Sequence, residues 1–105
     1  MKKQNLAHSV FITLKDPSGN AIDNLIEDCY TYLKDNPGII YFSAGHLVSE
    51  HNREVNIKDF HVGLHLVFED KPYHDKYQED EKHIIFINQN KDNWAQVRVF
   101  DTCIR

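Results

Sequence analysis

Tyr77 and His83 are the residues of this chain best suited to moving a proton beside a carbonyl group. An imidazole has an unperturbed pKa of about 6.5, so it can take or give a proton near neutrality. A tyrosine hydroxyl can hold a carbonyl or enolate oxygen by hydrogen bonding. Together the two suit proton abstraction next to a carbonyl, followed by ring closure or isomerisation. Their spacing does not put them on one face of a continuous helix. They converge only if a helix breaks near Asp80-Glu81. The plainer alternative has Tyr77 packing a thin helix onto a sheet and His83 serving as a polar residue at a helix entry.

The other histidines carry less chemistry. His8 stands at the edge of an apolar stripe and reads first as a satisfied, partly buried imidazole. His61 and His65 lie four apart on a predicted strand, which separates their side chains by about 13 Å, too far for one ion. His46, His51 and His74 are expected on the surface. No HExxH, CxxC or carboxylate cluster is present, so neither a metal site nor any other cofactor is expected. No serine or cysteine nucleophile carries a signature. Gln78–Lys82 reads as a solvated face, and Tyr30, Tyr32 and Trp94 as packing.

Some 105 residues can close one core, so residues 1–105 are expected to form one domain. The net charge of -4, with no run of lysine and arginine, argues against a nucleic-acid partner. Cys29 and Cys103 fit no metal or redox spacing. They read as small buried hydrophobes in a reducing compartment, with a disulfide between them the less favoured alternative. Met1–Asn5 is followed by an apolar stretch too short for a signal peptide or membrane span. A cytoplasmic protein with no membrane partner is therefore expected.

The elements that must position these side chains follow from hydrophobic period. His8, Val10, Ile12 and Leu14 alternate with Ser9, Phe11 and Thr13, the mark of a strand. Asp16–Asn20 is a turn in which Ser18 or Asn20 can cap a helix. Ile22, Leu25, Ile26, Cys29 and Leu33 recur at helical spacing over roughly 20–34, and Asp35-Asn36-Pro37-Gly38 ends that helix. Residues 39–48 form a second strand in which Gly45 suggests a bulge or a close backbone approach. Residues 49–56 form a polar surface loop. The most strand-like segment is 60–68, with Phe60, Val62, Leu64, Leu66 and Phe68 on one face and His61, Gly63, His65 and Val67 on the other. Asp70 and Pro72 open a second helical region. Propensity alone makes His83–Ile87 a strand, but its context favours a helix. Trp94–Ile104 is the last strand.

The order β-α-β-β-α-β is the split βαβ pattern of a ferredoxin-like α+β fold. It predicts a four-stranded antiparallel sheet with helices on one face. The other face would carry Phe11, His61, Gly63, His65 and Val67, which is too apolar for full solvation. Burial against a second copy of the same sheet is the simplest remedy, so Phe11, His61, His65 and Val67 are the expected homodimer interface.

From Ala7 to Thr102 the chain resembles the stress-responsive α/β-barrel (Dabb) family, within the dimeric α/β-barrel superfamily. The resemblance rests on His8 opening the first strand, Pro37-Gly38, Gly45-His46, and Asp59-Phe60 leading into Val67–Asp70. It continues with Tyr77 and His83, and with Trp94 before Val97–Asp101. It implies a homodimer whose two sheets close into a barrel with helices outside. It also implies a pocket between helices and sheet, to which His8, Val10, Val62 and Leu64 would contribute. In a polyketide-cyclising member, a tyrosine and a histidine that match Tyr77 and His83 carry acid–base chemistry, and a histidine near the pocket matches His8. Two departures stand out. A His-Pro-x-His run of many relatives reads Asp80-Glu81-Lys82-His83 here, and a further pocket histidine falls at Val62.

Three functions are then open. One is cofactor-free acid–base chemistry, cyclase- or isomerase-like, on a small and largely apolar carbonyl compound. Another is a non-catalytic stress-response or ligand-binding dimer. The third, an oxygenase with haem or a quinol-like substrate, has only generic histidines as axial ligands.

Overall fold

A computed structural model of the protein describes residues 4–105. The expectation about a leader begins on Met1–Lys3, which lie outside that range. No helix among the described residues is long and apolar enough to cross a membrane. The elements are β1 (Asn5–Leu14), α1 (Ala21–Tyr32), β2 (Ile39–His46), β3 (Val62–Phe68), α2 (Lys71–Glu79), α3 (Glu81–Asn90) and β4 (Trp94–Ile104), with a 3-10 turn at Lys91–Asn93. The four strands form one antiparallel sheet in the order β2-β3-β1-β4. This is the ferredoxin-like arrangement expected from the pattern, with the second helical region divided in two.

β1 sits at the centre, and its exposure alternates residue by residue along its whole length. Leu6, His8, Val10, Ile12 and Leu14 point to the helix side and are buried. Val62, Leu64, Leu66 and Phe68 of β3 join them. α1 covers β2 and β3, α2 covers β1 and β3, and α3 packs against α1. Leu25, Cys29 and Leu33 seal the space under the first helix. The segment 83–87 is helical, as context and not propensity required. Its β-branched residues follow a capped turn at Asp80, and Phe86 is drawn into the core.

Several expectations need correction. The pleat phase holds only from Val62 onward. Before it, the His61 N–H donates to the Ile12 carbonyl at 2.9 Å and the His61 carbonyl accepts from the Leu47 N–H at 3.1 Å, outside the regular β3 ladder. Phe60 therefore leaves the Val62 stripe and stacks edge-on against Phe11 at 4.9 Å, on the open face. His61 leaves that face in exchange. Its Nδ1 accepts the Leu14 N–H at 2.9 Å, and its ring lies near Ile22 of α1. His61 is thus not beside Phe11, His65 and Val67. Gly45 pairs in register with Gly63, and the β2 irregularity lies between Ile39 and Tyr41. No atom stands within 4 Å of a Cβ added at Gly45, so no close approach explains it. Both cysteines are free, and only Cys29 is buried. Burial pushes its thiol pKa up to about 12, while Cys103 is exposed because β4 is an edge strand.

Candidate functional site

The second helical region is built from two short helices, each with its own cap. The Asp70 carboxylate accepts the Tyr73 N–H at 3.3 Å, and Pro72 lies in the first turn, so α2 starts cleanly. Tyr73 leans on Gly38, whose φ of +84° no side chain favours. A Cβ there would stand 2.2 Å from the Tyr73 ring. At Asp80 the backbone turns extended (φ -64°, ψ 139°), and its carboxylate accepts the Lys82 N–H at 2.9 Å to start α3. The break that convergence required is therefore present.

The break brings His83 back over Tyr77, with ring centroids 4.5 Å apart. His8 rises from β1 to within 6.0 Å of the Tyr77 ring. Phe68 of β3 lies against Tyr77 at 5.1 Å. Between the helices and the sheet is a cavity of about 160 Å³, lined by His8, Val10, Leu64, Tyr77 and His83 together with Phe86, Trp94, Val97 and Val99. Two polar atoms of this lining, His83 Nδ1 and Trp94 Nε1, are buried with no hydrogen-bond partner among the described residues. A buried group left in that state costs about 1–3 kcal/mol.

Burial sets the protonation states. It lowers the His83 pKa below the ordinary imidazole value, and the neighbouring His8 adds to that. The Gln78 backbone and Asp80 pull more weakly the other way. Burial also raises the Tyr77 hydroxyl pKa. At neutral pH the site thus holds an unprotonated imidazole beside an un-ionised phenol. Asp101, the cross-strand partner of His8, meets His8 Nδ1 at 2.5 Å and orients its ring.

Tyr77, His83, His8, Val10 and Leu64 all line the cavity. Val62 does not. It is 0 % exposed, one pleat repeat before Leu64, among core side chains that leave no space. Two residues of the site were overlooked. His74, expected on the surface, lies 4.7 Å from the His8 ring and 5.4 Å from Phe68. Its signal is the three-residue spacing to Tyr77, which shares a helical face. Burial lowers its pKa, and His8 adds to the shift. Asp101 shares the alternating face of Val97 and Val99, but only the β1–β4 register reveals His8 as its partner. Of the residues expected on the second face, Phe11 and His65 stack at 5.7 Å, and Val67 pairs with Ala7 and Tyr41 on that side.

Solved structures share this architecture. A Dabb family protein with a ferredoxin-like fold from Mesorhizobium loti matches with a TM-score of 0.78 at 20% identity, covering 95% of this chain and 96% of the other. A dimeric ferredoxin-like protein of unknown function from Thermobifida fusca matches with a TM-score of 0.81 at 8% identity, over 99% and 94% of the two chains. The hydroxynitrile lyase from Passiflora edulis matches with a TM-score of 0.77 at 16% identity, over 97% and 94%. No curated protein sequence matches this chain. The model of the stress responsive A/B barrel domain family, Dabb, matches residues 6–104, and the chain belongs to that family.

Proposed function

We propose that the protein binds a small, largely apolar carbonyl compound between its helices and sheet and moves a proton on it without a cofactor. The observation that carries this reading is the Tyr77–His83 pair, 4.5 Å apart at the wall of an apolar cavity. His83, held neutral by burial, takes the proton next to the carbonyl. The electron pair moves onto the carbonyl oxygen, where the un-ionised Tyr77 hydroxyl donates a hydrogen bond. Returning the proton to a different atom isomerises the compound, and attack on a second carbonyl closes a ring. A cavity near 160 Å³ limits the ligand to a benzene-sized body, since about 150 Å³ holds benzene. The Passiflora edulis hydroxynitrile lyase is an enzyme of the same fold, which lends the catalytic reading support.

The working unit is a homodimer formed through the open sheet face. Phe100 and Tyr41 are each 54% exposed there, beside the partly covered Phe11 and Phe60. The Thermobifida fusca and Bacteroides fragilis structures of this fold are described as dimeric. Two free thiols suit a reducing compartment, in keeping with a cytoplasmic protein.

A second reading, a dimer that holds a ligand without turning it over, rests on the same cavity, whose lining is mainly apolar as in binding pockets generally. One measurement separates the two. Cyclopentanone and other ketones no larger than benzene are incubated with the protein in D₂O, and loss of the α-proton signal is followed by NMR. Catalysed exchange that disappears in His83→Ala and falls about 100-fold in Tyr77→Phe supports proton transfer. Saturable binding without exchange selects the non-catalytic dimer. Exchange that survives in both variants overturns the roles given to the pair.

A further inference from the structure

We propose that His8, His74 and Asp101 form a binding site for a divalent first-row transition-metal ion of the zinc class. The residues come from β1, α2 and β4, and each offers one donor atom within 4.8 Å of the other two. Two imidazoles and one carboxylate make a donor set that suits zinc and its neighbours and disfavours magnesium and calcium, which prefer all-oxygen shells. Three protein ligands leave one tetrahedral position for water or a ligand.

The cluster is arranged so that it can close on an ion. Zinc bonds of about 2.0–2.2 Å set tetrahedral donors about 3.3 Å apart, so the widest pair must close by roughly 1.5 Å. The side chains of His8 and His74 are only 6% and 14% exposed and rest against Phe68, which holds them in place. That of Asp101 is 43% exposed on an edge strand and can make the adjustment. The Gln78 amide lies 3.2 Å from His74 Nε2, and rotated by half a turn it presents its oxygen to accept the Nε2–H of a ring that ligates through Nδ1. On binding, the His8–Asp101 hydrogen bond is exchanged for bonds to the ion. No sequence motif announces such a site, because its members stand at positions 8, 74 and 101.

The test reads the metal and not turnover, so it stands or falls separately from the carbonyl chemistry. Tag-free protein is stripped with chelator and titrated with ZnCl₂ by calorimetry and with CoCl₂ by visible absorption. One ion per chain is expected, with the intense bands of four-coordinate cobalt. His74→Ala and Asp101→Ala should each lose at least about 100-fold in affinity, the upper end of what outer contacts alone produce. The surface control His46→Ala/His51→Ala should bind as the parent does. If circular dichroism finds His74→Ala unfolded, His74→Gln takes its place. The site is refuted by absent saturable binding, by parental affinity in a folded His74 variant, or by magnesium competing equally with zinc.

Discussion

Under α1 the sheet is closed: Leu25, Cys29 and Leu33 meet Val62, Leu66 and Phe68 in a fully buried, almost wholly apolar core. Under α2 and α3 the space between helices and sheet holds His8 of β1, Tyr77 of α2, His83 of α3 and a cavity. The difference traces to one residue in the helix layer. α1 runs unbroken from Ala21 to Tyr32, so its apolar stripe covers the strands continuously. The second helical region breaks at Asp80, and the change of direction lifts part of the roof while turning His83 back onto Tyr77. A continuous amphipathic helix thus makes a seal, and an interrupted one makes a chamber.

The largest test of this contrast is truncation in the sealed half. Leu33→Ala should destabilise the fold by about 2–5 kcal/mol, because a fully packed site cannot collapse around the hole. Ile87→Ala, in the chamber wall, should cost less because that side chain already borders open space. Urea denaturation measures both, and equal losses would erase the distinction between the halves. Next comes the break itself. Asp80→Ala removes the cap on α3 and should cost about 1 kcal/mol by the same denaturation assay.

The smallest expected effect is on pH dependence. The folded-state pKa values of His83 and His74 lie below those of the unfolded chain, and in both cases burial is the first cause. Above about pH 6.5 these groups are neutral in both states and their contribution is flat. As pH falls below that value the unfolded chain takes up protons that the folded chain declines, so stability drops. It levels off once the pH has passed through the lowered folded values. Urea midpoints at pH 8.0 and 5.5, taken in chelator, should therefore differ in that direction. His83→Leu/His74→Leu should narrow the gap, whereas an unchanged gap would mean that the chamber does not set these shifts.

Much of the layout was legible because it rests on local period. β1 alternates without a fault, α1 keeps its spacing, and the Pro37-Gly38 and Asp70–Pro72 signals fall at true element boundaries. The helix at Glu81–Asn90 was readable only from context, since Ile84, Ile85 and Ile87 favour a strand by themselves. What escaped was set by tertiary placement. Phe60 and His61 exchange faces because the connector enters β3 off the pleat. His74 looked solvated among Lys71, Asp75 and Lys76, although its ring is turned toward His8. Val62 was matched to a pocket histidine of relatives, yet it is wholly enclosed in the core.

The pairing of β1 with β4 has a consequence for how this chain tolerates change in length. Opposite His8 stands Asp101, with Val99 and Cys103 two positions to either side. One extra residue in the Lys91–Asn93 turn that slid the edge strand by a single step would bring Phe100 or Thr102 opposite the imidazole and turn the carboxylate to the far surface. A slide of two steps would keep the facing but substitute a valine or a thiol for the acid. The acid partner of His8 is thus specified by the length of a three-residue turn as much as by the aspartate codon.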